Sequence, residues 1–418
     1  MDRRRIVSQR REQDVVHVCY GAPDLVDECL PNRKLLEEEP GHFVRLLFDF
    51  WRPEPPQRPC LSTAFYRIVQ SYTSVLFMEI VMTFRENRQV RLVARPRGIP
   101  QAEHFSLVTE PVAAPGKGDI LIANRYLSVD PAQRGWANDE GNYGAPVPLD
   151  TPMRALAVGE ILESNVPEFR PGEHVYGWFG WQRYCVTAPQ SVLRRVAASP
   201  LPLSANLSVL GMNGITAYLA FHGLGDPKAG EHVLVSTAAG SVGSFVGQLA
   251  RIAGCRAVGL TSSADKVALA KARYGYQDMI NYREASDLAG AIRAACPDGN
   301  DIFFDNTGGP IADAAIRTMR LGGRVIQCGT AANASWSPVP TGPRPEREIL
   351  TRRLRWSGFI IFDHLAEFET AAARLAELAL AGKIVHDEEI LPGLEHAPGA
   401  IAQLYRGENR GKLMIAVD

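Results

Sequence analysis

His232-Val-Leu-Val-Ser-Thr-Ala-Ala-Gly-Ser-Val-Gly-Ser-Phe-Val-Gly-Gln-Leu-Ala-Arg251 is the stretch on which the fold turns. Its opening aliphatic run predicts a short strand buried on both faces, as in a parallel sheet. Small residues follow in Ala238-Ala239-Gly240-Ser241-Val242-Gly243. Val242, Phe245, Val246, Leu249 and Ile252 then recur on one helical face. Strand, small turn and helix together form a dinucleotide-binding fingerprint. Gly240 lets the backbone approach a pyrophosphate, and Gly243 lets the helix press on the strand. The free amides of the first helical turn then face the phosphates. Ala238 stands where GxGxxG has its first glycine, so the turn depends on its context.

That context is a series of further strands. Arg256-Ala-Val-Gly-Leu260 is the second, tipped by Thr261-Ser-Ser-Ala-Asp-Lys266. Asp301 to Phe304 is the third, ending in Asp305-Asn306-Thr-Gly-Gly309. Gly323 to Gln327 is the fourth, ending in Cys328-Gly329, and Leu354 to Ile361 is a fifth. Helical patterns lie between them, including Ala264 to Tyr274 and Ile311 to Arg320. This alternation predicts a doubly wound parallel sheet with its crevice at the strand C-terminal ends.

Upstream, from Arg88 to about Pro202, the pattern changes to short strands between Gly/Pro turns, the pattern of a small antiparallel barrel. Gln89 to Ala94, Asp119 to Ser128, Arg154 to Leu162, the strand after Pro171-Gly172, and Trp181 to Val186 make up the series. Leu207 to about Gly230 reads as helical with a break at Gly211 to Gly214. Leu365 to Ala381 reads as an amphipathic helix. Leu413 to Val417 is a closing strand expected to return to the barrel. The domains expected are 82–206 with 373–418 for the barrel and 207–372 for the cofactor sheet. Residues 1–81 are charged and proline-punctuated and are expected to be a poorly structured extension, outside catalysis, from a start upstream of the true one. Early acidic residues fit a transit peptide badly.

Composition is that of a globular protein, 46% hydrophobic and 22% charged over 418 residues. A net charge of −1 gives no basic field for nucleic acid. No apolar run reaches the roughly 18–20 residues of a membrane span. The seven cysteines form no CxxC pair, which points to reduced thiols in a cytoplasmic protein. The histidines show no metal spacing; His222 and His232 read as structural.

The second-strand tip selects the cofactor. NAD sites place a carboxylate there for the ribose 2′-hydroxyl. Here Thr261, Ser262 and Ser263 offer hydroxyls that tolerate a phosphate, and Lys266 adds a charge one turn on. NADP(H) is favoured over NAD, with Asp265 the competing carboxylate.

From about Thr83 to Asp418 the chain resembles the medium-chain dehydrogenase/reductase superfamily, and within it the zinc-free branch of the prostaglandin, leukotriene B4 and curcumin reductases. Leu127-Ser-Val-Asp-Pro131 with Arg134 is similar to that branch's LSVDPYMR. Leu210-Gly-Met-Asn-Gly-Ile-Thr-Ala-Tyr218 is similar to its LGMPGLTAY. Ala238 to Gly247, Gly259 to Lys266, Asn281-Tyr282, Phe304 to Asn306, Cys328-Gly329 and Asn409 to Lys412 also fit. The resemblance implies a GroES-like barrel on a Rossmann domain, and NADPH-dependent reduction of the carbon–carbon double bond of enones and enals. By position, Gly240, Ser241, Val242, Gly243, Ser262, Lys266 and Tyr282 would hold the phosphates. Asn306, Cys328, Gly329, Phe359, Ile360 and Ile361 would line the nicotinamide end, and Asn409 would reach back from the closing segment. Where zinc members carry GHE, this chain reads Ala157-Val158-Gly159-Glu160, and the four-cysteine lobe is absent, so no metal is expected.

Conjugate reduction requires a donor for the enolate oxygen. Two aromatics of the branch are replaced here, by Ala132 and Ala334. Asn333, Ser335 and Tyr143 are the candidate donors; the cofactor's ribose hydroxyl, with water as proton source, is the other option. Trp178, Trp181 and Trp336 are candidates for an apolar wall, with Trp181 better suited to the core. A quinone oxidoreductase is the alternative reading, and an NADPH-binding protein with little turnover the second. A homodimer is admitted.

Overall fold

The computed structural model describes residues 85–139, 143–333 and 335–417. The expected N-terminal extension, 1–81, lies outside these residues. The antiparallel part comprises β1 (Glu86–Leu92), β2 (Phe105–Pro111), β3 (Ile120–Ser128), β4 (Thr151–Pro152), β5 (Leu156–Ser164), β6 (His174–Trp178), β7 (Tyr184–Thr187) and β8 (Val192–Val196). β3 alternates between partners because its neighbours differ along its length: β5 on one edge, β7 and then the closing strand Lys412–Ala416 on the other. Val90, Ile120, Ile122, Val175 and Trp181 fill its interior and are wholly buried. Trp181 also satisfies its ring N–H on the Ser128 carbonyl at 3.1 Å, so it is a core residue.

The parallel sheet holds β9 (His232–Val235), β10 (Arg256–Thr261), β11 (Asp278–Asn281), β12 (Asn300–Asp305), β13 (Met319–Gln327) and β14 (Arg355–Gly358). Its order is β11-β10-β9-β12-β13-β14, every pair parallel. The strand order therefore reverses between β9 and β12, and the crevice outside the ends of those two strands is where such sheets bind ligands. Each face of the sheet is covered. Met212–Gly223 (α2), Ser241–Ile252 (α3) and Phe368–Leu380 (α8) share one core with Val233, Val235, Ile302 and Phe304. Leu288–Ala295 (α5) and Gly309–Ile316 (α6) share the other with Leu234, Val258 and Phe303. The remaining helices are Ala132–Ala137 (α1), Ala264–Arg273 (α4), Glu346–Arg352 (α7) and Ala397–Arg406 (α9). None of the described helices is long and apolar enough to cross a membrane.

Two strands complete the chain. β15 (Glu388–Pro392) runs parallel to β16 (Lys412–Ala416), and β16 pairs antiparallel with β3, Met414 opposite Ser128. The closing segment thus returns to the antiparallel strands, as its sequence predicts. Elsewhere the structure departs from the sequence reading at element ends. α2 begins at Met212, directly after its N-cap Gly211, so the expected glycine break is a helix start. α6 stops at Ile316, and β13 begins at Met319, four residues before Gly323. β14 ends at Gly358, which frees Phe359 to Ile361 from the sheet.

Candidate active site

The cofactor turn is built by exclusion. A Cβ on Gly243 would lie 2.3 Å from the Thr237 carbonyl oxygen, and one on Gly240 would lie 2.8 Å from the Thr237 methyl. Only glycine lets α3 start this close to β9. Ser241, the first residue of α3, has its hydroxyl buried without a partner among the described residues. The first-turn amides of a helix also lack intrahelical acceptors. A buried hydroxyl and free amides at a positive helix end fit a dinucleotide pyrophosphate. Ala238, in the place of the first glycine, is tolerated because of Gly259 on β10. A Cβ on Gly259 would stand 2.6 Å from the Ala238 methyl, so the two positions share the space of one side chain.

The β10 tip lies beside the closing segment. Ser263 caps α4, its hydroxyl accepting from the Lys266 amide at 3.4 Å. Gly407, the left-handed cap of α9, sits against Ser262 and Lys266: from its Cβ position the Ser262 Oγ is 3.2 Å and the Lys266 Nζ 3.9 Å away. Burial pushes the Lys266 ammonium below its usual range; Glu389 opposes that shift and the like charge of Arg283 adds to it. Two cations and a hydroxyl thus gather at one tip, the donor set a ribose 2′-phosphate requires. Arg283 and Glu389 were not read from the sequence, although Arg283 directly follows Tyr282, whose amide donates to the Thr261 carbonyl at 3.0 Å. Asp265 is exposed in the first turn of α4. On the other side of the turn, Gly411 bridges Gly240, and Asn409 is buried with its amide on the Gly411 carbonyl at 2.9 Å.

Beyond the turn a cavity of about 310 Å³ opens between the two sheets. Its cofactor-side wall includes Val242, Asn306, Cys328, Gly329 and Phe359 to Ile361. Asn306 is fixed by Asp305. That buried carboxylate accepts from Ser236 Oγ (2.9 Å), the Thr307 and Gly308 amides (2.9 and 3.0 Å) and Gln327 Nε2 (2.9 Å). Ser236 in turn accepts from the Asn306 amide at 2.7 Å. Burial, and then the charge of Asp305, push the Cys328 thiol up to about 12, so it faces the cavity as a neutral thiol. The opposite wall is aromatic: Trp136, Trp178, Phe362 and Tyr143 form a closed circuit of ring contacts, centroids 5.6 to 6.5 Å apart.

The donor candidates are placed differently. Tyr143 lines the cavity; burial of its phenol, with Asp130 and Tyr405 nearby, pushes it up to about 12. Ser335 also lines it, but its hydroxyl donates to the Ser337 carbonyl and accepts from the Ser337 amide, both at 3.0 Å. Asn333 points elsewhere, toward Gly308 and Gly309 at the β12 tip. Trp178 and Trp336 line the cavity, and so does Ala132. Ala334 falls outside the described residues. Tyr405, not expected from sequence, enters the cavity from α9 and donates to the Pro131 carbonyl at 3.0 Å. Asp130 is held by the buried Lys412 ammonium at 2.7 Å and by Ser128 Oγ. His222 lies tilted against Tyr218, ring centroids 4.7 Å apart, and His232 bonds the Gly299 carbonyl at 3.1 Å, away from the crevice. No group of three or more His, Cys, Asp or Glu that could hold a metal occurs among the described residues.

Comparison with known proteins agrees with this architecture. Residues 88–195 match the family model described as the N-terminal domain of oxidoreductase, and 241–377 the one described as zinc-binding dehydrogenase. The chain is 36% identical to the NADP(+)-dependent 2-alkenal reductase of Nicotiana tabacum, over 79% of this chain and 97% of the relative. It is 35% identical to the NADPH-dependent curcumin reductase of Escherichia coli, over 80% and 97%. Among solved structures, CurA of Vibrio vulnificus in complex with NADPH matches with a TM-score of 0.75 and 34% identity, covering 79% of this chain and 99% of that one.

Proposed function

The chain belongs to the medium-chain dehydrogenase/reductase family, in the branch of the curcumin, 2-alkenal and prostaglandin reductases, and on that footing we propose that it reduces the carbon–carbon double bond of α,β-unsaturated ketones and aldehydes with NADPH. The observation that carries the reading is the juxtaposition just described: a phosphate-ready turn with a buried hydroxyl unpartnered among the described residues opens into a cavity walled by aromatic rings on one side and by Asn306 and the Cys328-Gly329 turn on the other. Gly240, Ser241 and Gly243 would receive the pyrophosphate, Ser262, Lys266, Tyr282 and Arg283 the 2′-phosphate, and Asn409 would steady the turn through Gly411. NADPH, when bound, supplies a hydride equivalent to the β-carbon of the substrate. The protein's own part is to hold the enone flat between the aromatic wall and the cofactor side, and to exclude water. It must also offer a proton donor to the oxygen on which charge develops. Tyr143 suits that last role, because its phenol stays protonated across the neutral range and lies in the cavity. The reading entails a cytoplasmic enzyme acting on small molecules rather than on nucleic acid or membranes; a homodimer is compatible with it.

A panel of enones, enals and quinones tests the proposal by following reduced-nicotinamide absorbance and identifying the products. Saturated ketones formed with NADPH support it. Faster turnover of quinones would favour the quinone oxidoreductase reading. Tight NADPH binding with unchanged absorbance across the panel would leave a binding protein.

A further inference from the structure

We propose that Arg134 anchors a carboxylate on the enone substrate, so that the preferred substrates are enones with an anionic group on an apolar, ring-bearing body; this rests on the enone-reductase reading above. Arg134 projects from α1 into the cavity and is more than nine-tenths buried. Its Nη1 has no hydrogen-bond partner among the described residues. Nη2 makes only a long contact, 3.5 Å, to the Thr330 carbonyl, and the guanidinium lies 4.9 Å over the Tyr405 ring.

No carboxylate among the described residues pairs with it. Asp130 is the one acidic side chain among the described residues lining the cavity, and its charge is already taken by Lys412 at 2.7 Å, with Ser128 on the other oxygen. A buried cation without a counter-charge is costly. A planar guanidinium with one unpartnered nitrogen, and a second held only by a long contact, suits a carboxylate. The aromatic circuit of Trp136, Trp178, Phe362 and Tyr143 supplies the apolar wall for the rest of such a molecule. The other anion of the reaction, the cofactor pyrophosphate, has its own cradle at Gly240 to Gly243, which leaves Arg134 to the substrate.

The test compares benzalacetone bearing a para-carboxylate with its methyl ester, on wild type, Arg134→Gln and Arg134→Lys. The expected result is a wild-type kcat/KM about ten- to hundredfold higher for the acid, the range of a hydrogen bond to a charged group. Arg134→Gln should remove that preference by lowering only the acid, and Arg134→Lys should retain part of it. A second readout needs no turnover. Binding of the saturated keto-acid and keto-ester to the protein–NADP+ complex is followed by fluorescence of the cavity tryptophans, and only the acid should weaken in Arg134→Gln. Equal handling of acid and ester by wild type overturns the proposal, even if the variants fail to fold. So does an Arg134→Gln loss shared by both compounds, or a matching loss of NADPH affinity, which would place the pyrophosphate at this residue. If neither compound is reduced, the enone reading fails, while the keto-acid titration still decides the role of Arg134.

Discussion

Gly259→Ala should strain the cofactor turn from the neighbouring strand, and Ala238→Gly should relieve it. The added methyl of Gly259→Ala would meet the Met279 sulfur at 2.3 Å and the Ala238 methyl at 2.6 Å. The thioether can swing aside. The Ala238 methyl cannot, because its backbone amide is bonded to the Leu260 carbonyl at 2.9 Å and the residue is fully buried. Overpacking of this kind costs about 1–3 kcal/mol, and two contacts below 3 Å place it in the upper half of that range. The displacement falls on the turn proposed to receive the pyrophosphate, so NADPH affinity should drop together with stability. Ala238→Gly alone should cost about 1 kcal/mol, through a lost buried methyl and a freer backbone. In the double variant the 2.6 Å contact disappears, and the loss should be about 1–2 kcal/mol smaller than the sum of the singles. Denaturant unfolding and NADPH titration of all four proteins complete the cycle. Losses that add within about 0.5 kcal/mol would refute the claim that the two positions share one volume.

Two other outcomes follow from the site. Lys266→Ala should weaken NADPH about ten- to hundredfold, the value of a hydrogen bond to a charged group, and leave NADH unchanged; equal effects in a direct binding titration would remove Lys266 from the 2′-phosphate. If Tyr143 protonates or polarises the enone oxygen, kcat should hold steady as pH rises through about 10, the ordinary phenol range, because burial of the phenol and the nearby Asp130 push its pKa above that range. A wild-type alkaline limb near that ordinary range that disappears in Tyr143→Phe would contradict the assigned environment.

The parallel sheet was legible because its central strands are buried on both faces and so write continuous apolar runs, as in Val233 to Val235 and Ile302 to Phe304. β11 was not read: it is an edge strand whose four residues, Asp278 to Asn281, are all half-exposed, so no run betrays it. β15, with its two leading glutamates, escaped for a similar reason. The glycines of the cofactor turn were readable from spacing, and the compensation between Ala238 and Gly259 was not, since it joins adjacent strands. The substrate side was least legible. Tyr405 meets the Pro131 carbonyl across 274 residues of chain, and the isolation of Arg134 depends on Lys412 having claimed Asp130. Single positions announce chemistry; who neutralises whom is settled only by the fold.

The stretch from Asn409 to Ala416 completes three structures at once: Gly411 bridges the phosphate turn, Lys412 neutralises Asp130 in the cavity, and β16 zips onto β3. Each of those partners leaves the ribosome far earlier. During synthesis the nascent antiparallel unit must therefore wait with an open seam and an uncompensated acid until this late segment arrives. The cleft is consequently incomplete until a single short ribbon docks.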